Sequence, residues 1–243
     1  MTHSTLIAAT LAIATLITPQ NCWAGPEPSE DLSGALVSYA KLEYQAAFRM
    51  LVPLADQGNA VAEEILGFMY SRGEGIARDD VRALAWFKLA AEAGRPEAQF
   101  ELSKMYRNGI GTQPDADAAL YWLRRAADRG KVEALEALAE QYWRQDAYPA
   151  DAKAALELSL EAAMQGSATA MYNIGLCYAE GRHVARDEIE ALKWFDLAYN
   201  QAIGSFREVV ARARTAMAEH LMPMQVQIAL SRSHDWWLTH IEK

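Results

Sequence analysis

A block of 36 residues recurs in register through the middle of this chain. Leu66-Gly67, Leu102-Ser103, Leu138-Ala139 and Ile174-Gly175 stand 36 apart, as do Tyr70, Tyr106, Tyr142 and Tyr178. Asp79, Asp115, Asp151 and Asp187 keep the same interval. A fixed period between about 20 and 50 residues marks an array in which each unit buries its apolar face against its neighbours. Such arrays bind partners more often than they run chemistry.

The unit reads as two antiparallel helices. In residues 60–95, Ala62, Leu66, Gly67 and Tyr70 fall on one helical face. Gly73 and Gly75 end that helix. Asp79 then caps the next, whose Ala83, Trp86, Phe87, Ala90 and Ala91 recur at helical spacing before Gly94. Residues 96–131 repeat this nearly position for position, with Leu102, Tyr106, Gly109, Gly111, Asp115, Trp122 and Gly130. Residues 132–167 keep the period but are degenerate: Gln145 and Ala147 replace the loop glycines, and Leu158 the tryptophan. Residues 168–203 restore Gly181 and Trp194 but carry His183 at the second glycine. Residues 25–59 hold a partial first unit, a helix pair between Gly34 and Ala55 closed by Gly58. Residues 204–243 do not repeat. They predict two helices separated by Pro223, which we read as the cap a solenoid end requires; a partner-binding role with Trp236 and Trp237 as anchors is the rival.

The pattern A-x-x-x-L-G-x-x-Y-x-x-G-x-G, then D-x-x-x-A-x-x-W-x-x-x-A-A-x-x-G, resembles the Sel1-like repeat, a relative of the tetratricopeptide repeat, over residues 34–203. The resemblance implies an all-α, right-handed α-α solenoid whose first helices line a concave groove. It also implies a protein of the interaction class, often exported by bacteria. Carried onto this sequence, the groove positions include Phe68, Phe100, Lys104, Arg107, Trp143, Arg144, Tyr172 and Asn173. Aromatic and arginine side chains are common interface anchors. Lys104, Arg107 and Arg144 suit an acidic segment or a peptide carboxylate. Phe100 and Tyr172 also suit plain packing between units.

The N-terminus stands apart from the array. Leu6 to Ile17 form an apolar run, followed by Pro19 and Cys22-Trp23-Ala24, the layout of a signal peptide cut after about Ala24. The run is short of the roughly 20 residues a membrane span needs. The expectation is a periplasmic or secreted bacterial protein of 219 residues with no stable membrane insertion. The net charge of −9 argues against nucleic acid, which would need a basic patch. Residues 25–203 carry 28 acidic and 18 basic side chains, whereas residues 204–243 carry 4 and 5. After cleavage Cys177 alone remains, so no intramolecular disulfide forms; a buried thiol is expected.

Catalytic patterns are missing from the sequence. No HExxH, CxxC, GxSxG or P-loop occurs, and no two histidines stand four apart on a helix. The paired loop glycines follow the 36-residue period and so report turn geometry, not a phosphate cradle. The expectation is therefore a non-enzymatic module without cofactor or metal. It would bind a protein or peptide of the cell envelope in its groove, as scaffold or regulator. An envelope hydrolase acting on peptidoglycan or β-lactams is the alternative, and a structural part of a larger assembly a third reading.

Overall fold

The computed structural model describes residues 32–144, 149–182 and 184–241. Among these residues the secondary structure is helical and no strand occurs. Helices α1 (Leu32–Ala40) and α2 (Tyr44–Asp56) form the partial first unit. Four pairs follow at the sequence period: α3 (Ala60–Arg72) with α4 (Asp80–Glu92), and α5 (Pro96–Asn108) with α6 (Ala116–Ala127). The other two are α7 (Val132–Arg144) with α8 (Pro149–Met164), and α9 (Ala168–Glu180) with α10 (Glu188–Gln201). Two further helices, α11 (Gly204–His220) and α12 (Pro223–His240), end the chain. This is an all-α repeat solenoid, as the periodicity predicts. The signal-peptide segment, Gln145, Ala147 and His183 lie outside the described residues, as do the side chains of Arg144 and Asp151.

Two compact units divide after Arg129. In the first, each helix from α1 to α6 packs on the next in sequence; in the second, α7 to α10 do the same.

The turns inside the pairs are built alike. Gly109 closes α5 at φ 68°, and its counterparts Gly73 and Gly181 sit at 71° and 68°. That left-handed conformation lets a terminal N–H turn back onto the last carbonyls of the helix, at no Cβ cost. The backbone N–H groups of Asp79, Asp115 and Asp187 then donate to the carbonyls of Tyr70, Tyr106 and Tyr178 at 3.0, 2.9 and 3.0 Å. The same aspartates accept from the first N–H groups of α4, α6 and α10. One residue thus ties the end of one helix to the start of the next.

Close approach of paired helices depends on small residues facing large ones. A Cβ on Gly67 would lie 2.7 Å from ring carbons of Phe87, and one on Gly175 would lie 2.7 Å from those of Phe195. Those rings are 1% and 2% exposed. At the same two register positions the third unit has Ser103 and Leu123, and the fourth Ala139 and Ser159. Where the facing ring shrinks, a side chain takes the glycine's place.

Two buried polar side chains share another register position. Gln99 is fully buried on α5, and its Nε2 donates to the Ala91 carbonyl at the end of α4, 3.0 Å away. Glu63, 36 residues earlier on α3, is 4% exposed. Burial, with Glu92 close by, pushes its carboxyl up to about 7 from the ordinary 4.5.

The two terminal helices fall where the sequence predicts them, but they do not continue the pairing of the array. Gly204 begins α11 one period after Ala168 begins α9, although no signature residue repeats. Yet α11 and α12 each pack on α10 instead of forming a hairpin with each other. Asp196 of α10, 8% exposed, holds both: it accepts from Arg214 Nε of α11 at 2.7 Å and from Ser233 Oγ of α12 at 2.8 Å. Glu190 adds a second tie to α12 through Arg232 at 2.8 Å. Trp236 sets its ring edge-on to Trp194, centroids 5.0 Å apart. Trp236 is thus engaged inside the chain, and both it and Trp237 are half-buried.

Two stability predictions follow from this packing. Gly67→Ala gains about 1 kcal/mol of helix propensity and loses about 1–3 kcal/mol to overpacking against Phe87. It is therefore neutral or destabilising in the wild-type chain but stabilising when Phe87 is also changed to Leu. Urea unfolding of the double-mutant cycle checks this, and additive changes would refute the contact. The second concerns Glu63. Its carboxyl keeps its proton in the folded state above the pH at which the unfolded chain releases it. Its stabilising contribution is therefore full below about pH 4.5 and is lost as pH rises through about 7. Glu63→Gln is expected to raise stability at pH 8 by on the order of 1–3 kcal/mol and to flatten the fall between pH 5 and 8; an unchanged slope would contradict it.

Candidate functional site

In the second unit, helical spacing aims part of α7 and part of α9 into one cleft. Glu140 and Trp143 are three apart on α7; Asn173, Leu176, Cys177 and Glu180 run at i, i+3, i+4 and i+7 on α9. Buried Ala170, Met171 and Ile174 anchor α9, which fixes the rotation of the helix. The six side chains, with Arg182 from the following turn, line a space of about 410 Å³. That is at the small end of ligand pockets and suits a short segment better than a folded surface.

The walls are chemically divided. Trp143 and Leu176 are half-buried, and Cys177 is buried. Burial pushes the Cys177 thiol up to about 11, so it stays neutral and acts as a small apolar wall. Asn173 is half-buried, and its side-chain amide makes no hydrogen bond to a described residue. Glu180 and Arg182 pair at 2.7 Å with side chains 46% and 60% exposed. An ion pair so open to water is weak.

Of the eight sequence-predicted groove residues, Trp143 and Asn173 lie in this cleft. Arg144 is at the end of α7, but its side chain lies outside the described set. Tyr172 packs: its ring meets Phe195 at 5.5 Å and Phe206 at 5.6 Å, so it joins α9 to α10 and α11. The other four belong to the first unit. Phe68 packs edge-to-face on Phe87 at 5.0 Å, with the Arg72 guanidinium 4.5 Å above it. Phe100 is half-buried under Lys104, whose Nζ lies 5.0 Å from the ring and 2.6 Å from Glu101. Arg107 is exposed in the last turn of α5, where a cation complements the helix dipole. Glu180 and Arg182 were not among the predicted residues. Their signal was available: Glu180 is four residues beyond Leu176 on the same face, and Arg182 directly follows the helix-ending Gly181.

The remaining polar pairs hold the stack together. Arg95 grips the buried Glu64 with Nε at 3.1 Å and Nη2 at 2.7 Å. One period on plus another, Ser167 donates to Glu136 while also accepting from Ala170 N–H at 2.9 Å. Burial raises the Glu136 carboxyl, and the Ser167 bond opposes that rise. Among the described residues no group of three or more His, Cys, Asp or Glu side chains is placed to hold a metal. No described helix is long and apolar enough to cross a membrane.

Stacked helix pairs in a common register, with an open cleft between their first helices, define a helical-repeat protein of the interaction class. The chain belongs to the Sel1 repeat family: the family profile matches residues 60–94, 96–131, 132–167 and 168–202. It is similar to a Sel1 repeat protein from Oxalobacter formigenes, at 32% identity over 70% of this chain and 49% of that one, with a TM-score of 0.62. It also resembles a protective antigen present in uropathogenic Escherichia coli strains displaying an SLR fold. That match has 22% identity over 87% of this chain and 54% of that one, with a TM-score of 0.63, and speaks to the fold alone. The chain spans about half the length of these two structures. No curated protein matches it. Sel1 repeats generally mediate protein–protein interaction.

Proposed function

We propose that this chain is an exported interaction module of the bacterial cell envelope, a scaffold or regulator that holds a protein or peptide partner in the cleft between α7 and α9. One observation carries the assignment of the site. Among the predicted groove residues of the second unit, Tyr172 is spent on packing, while Trp143 and Asn173 border open space. An aromatic wall beside an uncommitted amide is the surface expected of a binding hot spot. Export rests on the apolar run of Leu6 to Ile17 and the small residue at Ala24. No described feature of the cleft favours the envelope hydrolase: its one thiol is held neutral, and no histidine is among the described lining residues.

The site is tested by capture from envelope extract with wild-type protein and with a Trp143→Ala/Asn173→Ala variant. A partner recovered only by the wild type supports the cleft; equal recovery by both forms sinks that assignment. Export is tested by fractionation and intact mass. The expected product is a periplasmic or secreted chain beginning at about Gly25, and a full-length chain confined to the cytoplasm would overturn it.

A further inference from the structure

We infer that a pocket between α10 and α12, apart from the cleft of α7 and α9, binds one neutral hydroxyl-bearing ring, a hexose unit of a saccharide. Its lining comes from one face of each helix. Asp196, Leu197 and Asn200 run at i, i+1 and i+4 on α10; Leu230, Ser233, His234 and Trp237 run at i, i+3, i+4 and i+7 on α12. The space between them is about 280 Å³. Ligand pockets begin at roughly 300 Å³, so this one has room for a single ring and not for an extended segment.

The charges disfavour an ion. Asp196 is the one carboxylate among the described lining residues, and it is buried. It already accepts from the Arg214 guanidinium at 2.7 Å and from the Ser233 hydroxyl at 2.8 Å. An incoming cation would compete with Arg214 for a carboxylate that is already matched. An incoming anion would face that carboxylate, and no lysine or arginine is among the described lining residues to hold it. What the pairing leaves is hydrogen-bonding capacity: a carboxylate has about four lone-pair sites, and these two donors leave the others open.

The uncommitted groups fit hydroxyls. Asn200 and His234 are exposed, and their side chains make no hydrogen bond to a described residue. An amide offers both donors and an acceptor, as does a neutral imidazole, and a hydroxyl is itself donor and acceptor. The apolar side of the pocket comes from buried Leu197 and half-buried Leu230 and Trp237. Trp236 is turned onto Trp194 and stacked on His240, whereas the ring of Trp237 meets no aromatic ring among the described residues. A hexose carries hydroxyls around its edge and C–H groups on its faces. The negative face of an indole attracts such C–H groups. The two kinds of wall thus match the two kinds of surface on one sugar ring.

Nitrogen–proton correlation spectra of the labelled protein test this, read at the Trp237 indole N–H and the Asn200 side-chain amide. The probes are glucose, galactose and mannose, with cyclohexylamine and cyclohexanecarboxylate as charged rings of the same size. At least one hexose is expected to shift both signals and saturate, with a Kd on the order of 1–10 mM, as suits so small a ligand. Asn200→Ala and Trp237→Ala should each weaken that hexose about tenfold or more, and Trp237→Phe should restore most of the loss. Asn200 is exposed, so its variant keeps the fold even if Trp237→Ala does not, and circular dichroism checks both. The inference is overturned if no hexose shifts these signals up to about 50 mM. It is equally overturned if either charged ring binds more tightly than every hexose, or if Asn200→Ala leaves hexose affinity unchanged.

Discussion

The close contact of Gly67 with Phe87, repeated by Gly175 with Phe195, is what the rest of the stack is built around. With no Cβ on the first helix, the second can press a whole ring against its backbone. The ring then fills the gap that two helices of ordinary residues would leave. This sets the separation of the pair, and with it where the neighbouring Leu66, Tyr70 and Trp86 come to rest, each 3% exposed or less. Dense packing tolerates changes of volume poorly, so a change on one side must be matched on the other. The chain shows that matching within itself. Serine faces the leucine position in the third unit, and alanine faces serine in the fourth. The repeat is conserved as a sum of volumes across two helices, not as a set of residues.

Polar contacts are arranged on the same logic. The position just before each first helix carries Asn59, Arg95, Lys131 or Ser167. Asn59 spends its side chain on the free N–H groups of α3 at 3.1 Å. Arg95 gives up that cap and reaches back to Glu64 instead. Ser167 does both. One register slot therefore alternates between closing its own helix and gripping the preceding first helix. Glu64 is buried and Glu136 half-buried, and each is given a partner from this slot, since an unpaired buried carboxylate is costly. Glu63 has no comparable donor among the described residues, and its carboxyl stays protonated to a higher pH instead.

Much of this was legible in the sequence, because the period converts residue identity into position. The helix pairs, the capping aspartates, the left-handed glycines and the buried Cys177 all follow from spacing and residue type. The division of the groove residues was not legible. Tyr172 and Trp143 are both aromatic and both on first helices, yet one is consumed by Phe195 and Phe206 and the other borders a cleft. That difference is set by the neighbouring helices: α11 brings Phe206 onto Tyr172 from outside the repeat pattern. The arrangement of the terminal helices was hidden for a related reason. Spacing places α11 one period after α9, but only the buried hub at Asp196 shows α11 and α12 packing separately on α10.

The copies differ most where the volume rule leaves slack. At the register position of Asn173 the earlier units have Ile65, Glu101 and Ala137; at that of Leu176 they have Phe68, Lys104 and Glu140. In the first unit Phe68 is drawn into the core by its contact with Phe87, and Lys104 is pulled onto Glu101 and Phe100. In the second unit, Asn173 makes no side-chain hydrogen bond to a described residue, and Leu176 lacks the aromatic edge that Phe68 presents to Phe87. Leu176 instead lines the cleft with Trp143, Glu140 and Glu180. The repeat thus opens its cleft where it departs from itself. A position that packs in one copy becomes the wall of a cleft in another.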